Sequence, residues 1–209
     1  MGNVFSSRIQ EAVAVINSGK IKGVVIFIIL ALIILYVYSN RIYTNRIYAR
    51  MGNVFSSRIQ EAVAVIDSGK IKGVVIFTQK DSHVSIRIDV KGLHKQSKHG
   101  FHIHESGDLR EGCKSCCAHY NPNNNDHAGL EGGHAGDLGN LKTDDNGECS
   151  MTIRTDKFIV DDILGRSIII HEDEDDLGTG NFEDSKTTGH SGARIACSII
   201  GISKNGICK

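Results

Sequence analysis

Residues 100–108 read GFHIHESGD. His102 and His104 sit two apart, with Ile103 between them. On a β-strand, residues i and i+2 face the same side, so two imidazoles would point one way from a rigid element. The surrounding sequence supports the strand reading. AVAVI (62–66) ends in the turn signal Asp67-Ser68-Gly69, and VVIF (74–77) follows. SIRIDV (85–90) alternates, with Ile86, Ile88 and Val90 on one face. SMTIRT (150–155) follows Asp144-Asp145-Asn146-Gly147, a hairpin-type turn. SIII (167–170) and ARIACSIIGI (193–202) complete the set. Residues 60–209 show no convincing amphipathic helix. Short strands joined by turns predict a closed or nearly closed β-sandwich or barrel. Two long stretches, 105–140 and 172–192, interrupt it, and loops of that length in a compact domain are usually functional.

The histidines fall where strands meet those loops. Beyond His102 and His104 come His119 in CAHYNP, then His127, His134 and Asp137 in HAGLEGGHAGD, then His171 in HEDEDDLG. Six histidines and a carboxylate suffice for two metal sites that share a ligand. An all-imidazole set favours copper, and three histidines with an aspartate suit a tetrahedral zinc ion. One ring can serve both ions through its two nitrogens. Scatter over the surface would not give this spacing. The chain has a net charge of zero, so nothing suggests a nucleic-acid partner.

These motifs resemble those of copper/zinc superoxide dismutases, in the same order. GFHIHESGD, AHYNP, HAGDLGN, HEDEDDLG and GARIACSIIGI carry the resemblance, which covers residues 60–209. It implies an all-β fold: an eight-stranded Greek-key β-barrel, or immunoglobulin-like sandwich, with long metal-binding and electrostatic loops. It implies copper on His102, His104, His119 and His171, and zinc on His119, His127, His134 and Asp137. His119 would bridge the two ions, and Asp175 would link a copper ligand to a zinc ligand. Arg194 would dock superoxide, Lys186 would help draw it in, and Cys113 would pair with Cys197. Gly107, Leu164, Gly165 and Ile202 fall at positions of a homodimer interface, although Ser106 replaces a common aromatic. The implied activity is dismutation of superoxide, with a non-catalytic copper/zinc module, chaperone-like or a superoxide decoy, as the alternative. Retention of all four copper histidines and Arg194 argues against that alternative. One spacing departs from the family: His127 to His134 is two residues shorter than in the familiar eukaryotic enzymes. Cys116 and Cys117 are unexpected thiols that could compete for Cys197 or bind metal, and Cys149 and Cys208 have no assigned role. His99 resembles a histidine that plugs the barrel end, and His83, His94 and His190 are expected to be exposed.

The N-terminus holds a duplication. Residues 1–27 return as 51–77 with one difference, Asn17 against Asp67. A single extra copy is not a solenoid. The sequence therefore divides into an extension, 1–50, and a dismutase-like domain, 51–209. Val24 to Tyr38 is an uncharged run of 15 residues, about 22 Å as a helix against a hydrocarbon core of ~30 Å. A membrane segment over 21–39 is the main reading, and a buried strand pair is the other. Gly2 heads a myristoylation pattern, Met1 to Ser6. A protected disulfide does not imply secretion, so the cytoplasm is the expected location, with anchoring through 21–39 as the alternative.

Overall fold

The computed structural model describes residues 59–207. The segment 21–39, Gly2 and Cys208 therefore lie outside the described residues. Among the described residues no helix is long and apolar enough to cross a membrane.

Among the described residues ten strands form: β1 Glu61–Ser68, β2 Ile71–Gln79, β3 Val84–Lys91, β4 Lys98–His104, β5 Arg110–Cys113, β6 Asp137–Lys142, β7 Glu148–Thr155, β8 Ser167–His171, β9 Arg194–Ile199 and β10 Gly201–Ile202. Described helices are single turns: α1 Val160–Ile163, α2 Ser185–Thr188, α3 Lys204–Ile207 and a 3-10 turn at Lys114–Cys116. One sheet runs β10-β1-β2-β3-β7 and the other β6-β4-β8-β9, all antiparallel.

The eight expected strands are present, with β5 lying in a loop and β10 two residues long. Hydrogen bonding divides them into two facing sheets, not one closed barrel ladder. Both seams are crossed by the chain. The β6–β7 connection, expected as a hairpin-type turn, instead passes between the sheets and turns at Gly147, whose φ is +78°, with the Asp144 carboxylate accepting from the backbone of Asn146 and Glu148. The last strand breaks at Ile200 and switches sheets, so that Gly201 pairs with Val63. Such sheet-switching connections are of the Greek-key kind.

Alternation explains the core. Val84, Ile86, Ile88 and Val90 of β3 are buried in one core with Ala62, Ala64 and Ile66 of β1 and Phe77 of β2. Gly69, at φ +60°, opens the two-residue turn that joins β1 to β2. The first-copy repeat matches this hairpin at every buried position. Its one difference falls on Asp67, which is exposed and pairs with Lys72. β8 does not alternate because all five of its residues are buried, between the core on one face and loops on the other. β4 is split. Phe101 and Ile103 enter the core, while His102 and His104 lie under the long loops.

Candidate metal centre

Backbone pairing brings the distant histidines together. Ile103 N–H donates to Gly136 O at 2.9 Å, Ile103 O accepts from Tyr120 N–H at 2.8 Å, and Gly136 N–H donates to Tyr120 O at 2.8 Å. These bonds pin both ends of the zinc-type loop to β4. They set His119, beside Tyr120, and Asp137, beside Gly136, against the two strand histidines. His104 pairs with His119 in an isolated bridge, and His102 pairs with Asp137. His171 arrives at the end of β8, next to β4.

Two clusters result. One atom each from His102, His104, His119 and His171 lie within 4.8 Å of one another, as do one atom each from His119, His127, His134 and Asp137. All seven residues are buried, and His119 belongs to both groups.

Five of the six imidazoles are held at one nitrogen and bare at the other. His102 Nε2 lies 2.8 Å from Asp175 Oδ2, His104 Nδ1 lies 2.9 Å from Cys117 O, and His171 Nδ1 lies 3.2 Å from Gly192 O. A proton on those nitrogens leaves lone pairs on the opposite ones. His102 Nδ1, His104 Nε2, His119 Nε2, His127 Nδ1 and His171 Nε2 are buried without a hydrogen-bond partner. A buried polar atom left unpaired costs about 1–3 kcal/mol, so the four in the first cluster and His127 Nδ1 in the second call for cations. In the second cluster His127 Nδ1 lies 3.0 Å from Asp137 Oδ2 without hydrogen-bond geometry. His119 Nδ1 lies 2.9 Å, and His134 Nδ1 3.2 Å, from Asp137 Oδ1. These donor sets fit copper in the first cluster and zinc in the second.

The protonation states match. Burial, then the neighbouring His119, lowers His102 to about 3 and His104 to about 2. Burial lowers His171 to about 4 and holds His119 below its ordinary value. These rings are neutral at physiological pH, the form that ligates metals. Burial would also lower His127, but the Asp137 and Asp175 carboxylates on either side of it outweigh burial and raise this ring to about 9. Burial would raise Asp137 and Asp175, but their histidine partners hold both well below the carboxylate range.

Asp175 spans the two clusters, with Oδ1 2.8 Å from His127 Nε2. Asn140, which the sequence did not single out, clamps its backbone: Nδ2 donates to Asp175 O and Oδ1 accepts from Asp175 N, both at 2.8 Å. Its signal is the close of the GDLGN run. Gly189, at φ +66°, is a second such residue, because a Cβ there would overlap Asp175 and His127.

Arg194 pairs with His171 across the sheet. Its guanidinium donates to Cys113 O at 2.8 Å and Cys117 O at 2.7 Å. Cys113 and Cys197 form a disulfide, so the same loop is tied covalently to β9. Cys116 is a buried free thiol, as is Cys149, and Cys117 is an exposed one. Lys186 is exposed on α2, and its carbonyl accepts from His127 N–H at 2.8 Å. His99 is buried, with Nδ1 2.9 Å from His171 O. His94 and His190 are exposed as expected, whereas His83 is half-buried in the connection from β2 to β3.

A two-sheet Greek-key sandwich with adjoining four-histidine and three-histidine–aspartate clusters defines a protein built for two unlike metal ions. The family model for copper/zinc superoxide dismutase (SODC) matches residues 71–200. An extracellular superoxide dismutase [Cu-Zn] of Drosophila melanogaster is 51% identical over 133 residues, 60% of this chain and 72% of that one. A superoxide dismutase [Cu-Zn] of Paramecium bursaria Chlorella virus 1 is 42% identical over 135 residues, 62% of this chain and 72% of that one. The crystal structure of the clock protein EA4 superposes with a TM-score of 0.68 at 37% identity, covering 70% of this chain and 96% of that one. The chain belongs to the copper/zinc superoxide dismutase family.

Proposed function

We propose that this chain dismutates superoxide, with His102, His104, His119 and His171 holding copper and His119, His127, His134 and Asp137 holding zinc. The family's reaction is superoxide dismutation and its cofactors are copper and zinc. The observation that carries the residue assignment is the set of five buried, unpartnered ring nitrogens. When bound, copper supplies a one-electron redox couple and zinc a fixed, redox-silent charge.

The chain's own residues do the rest. Arg194 presents forked donors to a small anion and stays charged at every relevant pH. Its anchors on Cys113 O and Cys117 O fix the fork beside His104 and His171. Lys186 adds positive potential that draws the anion inward. His119 would hand over, from Nε2, one of the two protons that superoxide takes up as it is reduced by one electron and leaves as hydrogen peroxide; the second proton comes from solvent and the electron from the other superoxide, which leaves as dioxygen. Asp175 orients His102 and His127 together. His127 would hold zinc through Nδ1, after losing the proton that Asp137 favours there, while Asp175 keeps the proton on Nε2.

Pulse radiolysis of the full chain loaded with both metals tests this reading. Superoxide should decay at a rate proportional to protein, and Arg194→Ala should slow it by about 10- to 100-fold through lost steering and docking. Bound copper with only spontaneous decay would instead mean a binding module.

A homodimer is proposed as well. Val65, Ile199 and Ile202 stay 61%, 45% and 45% exposed on β1, β9 and β10, three adjoining strands. Gly107, packed against Gly165 O beside Leu164, belongs to the same proposed face. Such a patch can pair with itself around a two-fold axis. Sedimentation of the full chain should give a dimer that Val65→Asp converts to monomer. A monomeric parent chain would end the idea.

A further inference from the structure

The loop from His127 to His134 is short, and its walls must be held from outside. Lys157 reaches it from the connection between β7 and α1. Its Nζ lies 2.8 Å from His134 O, 3.2 Å from Asp137 O and 3.4 Å from Gly129 O. An ammonium has three donors, and here three backbone carbonyls are within reach. Two belong to proposed zinc ligands, and Gly129 lies two residues after His127. Lys157 is itself fixed. Its N–H donates to Thr155 Oγ1 at 3.3 Å, and Phe158 and Val160 beside it are buried in the core. The side chain is half-buried, so its long stem is ordered where most lysines wave in solvent.

We propose that Lys157 is a positioning residue for the zinc site. It gathers the carbonyls of Gly129, His134 and Asp137 around one ammonium, and this sets the spacing of the ligand side chains on a loop with little slack. The proposal rests on the zinc assignment above. Two effects oppose each other. The clamp pre-organises the ligands, while a second cation near zinc repels it. A single outer group usually changes metal affinity by about 10–100-fold, and the lysine acts through backbone, so the lower end applies. The clamp is taken to win because the ammonium's own charge is spread over three carbonyl dipoles.

The test uses the full chain, with zinc affinity read by competition against a chromophoric chelator and site geometry read from the visible spectrum of cobalt(II). Lys157→Met should weaken zinc by about tenfold and distort the cobalt spectrum, with copper binding unchanged. Lys157→Gln, which keeps an N–H donor without the charge, should recover part of the loss. It also serves as the readout if the methionine variant does not fold. Unchanged or tighter zinc in both variants overturns the proposal, because repulsion would then cancel or outweigh the clamp. Asp137→Ala separates the two levels. If it leaves the cobalt spectrum of the parent site intact, the zinc assignment itself is wrong. If it abolishes that spectrum while the lysine variants bind normally, only the role of Lys157 fails.

Discussion

His119→Ala is expected to lower metal-dependent superoxide turnover by about 10³-fold, the largest loss of any single side chain in this protein. The reason is position. The ring centroid of His119 lies 4.1 Å from His102 and 4.8 Å from His104 on one side. It lies 5.3 Å from His127 and 5.4 Å from His134 on the other. No other residue belongs to both four-membered clusters. Its loss takes one ligand from each proposed site and also removes the proton carrier. Proton transfer by a positioned histidine alone is worth about 10²–10⁴-fold. The fold should survive, because the backbone bonds of Tyr120 and Gly136 to β4 do not use this side chain. The measurement is superoxide decay by pulse radiolysis, with copper and zinc contents determined on the same sample. Decay near the parent rate at equal copper content would remove His119 from the mechanism.

Much of the centre was legible before the structure because metal ligation is a side-chain property. His102 and His104 announce a strand and a candidate ligand pair at once. His127, His134 and Asp137 lie close enough in sequence to read as one loop. Alternation made β3 plain, since Ile86, Ile88 and Val90 face a core while Arg87 and Asp89 face water. Other parts left no such trace. Cys117 and Gly192 hold His104 and His171 through carbonyl oxygens, which every residue carries. Cys117 does this from φ +63°, a conformation that few residues other than glycine adopt, so its identity pointed away from its role. Lys157 looked like any charged residue beyond a strand. Its three acceptors lie 20 to 28 positions away in sequence. The sandwich was expected from the sequence, but the point at which the chain changes sheets was hidden. It depends on where the last strand breaks at Ile200, and SIIGI reads as one uninterrupted run.

Removing the disulfide is the second large effect. Cys113 and Cys197 close a loop of 84 residues, and cross-linking a loop of that length is worth about 4–5 kcal/mol in the chain-entropy account. The Cys197→Ser chain, compared metal-free with its parent under oxidising conditions, should unfold about 10–20 °C lower by calorimetry. A fall in activity should accompany the fall in stability when both chains carry full metal. Arg194 sits three residues before Cys197 and bonds to Cys113 O, so the bridge and the guanidinium brace the same loop. The extra thiols supply a control. Cys113→Ser leaves Cys197 free to pair with Cys116 or Cys117, and Cys197→Ser leaves it no such choice. Equal losses in both variants would mean that neither extra thiol can replace Cys113. That outcome is expected, because Cys116 is fully buried with its Sγ 3.6 Å from Asp108 O. Cys117 could leave its place only by releasing the carbonyl that holds both His104 and Arg194. An unfolding midpoint unchanged in Cys197→Ser would show that the loop is already restrained by its hydrogen bonds alone.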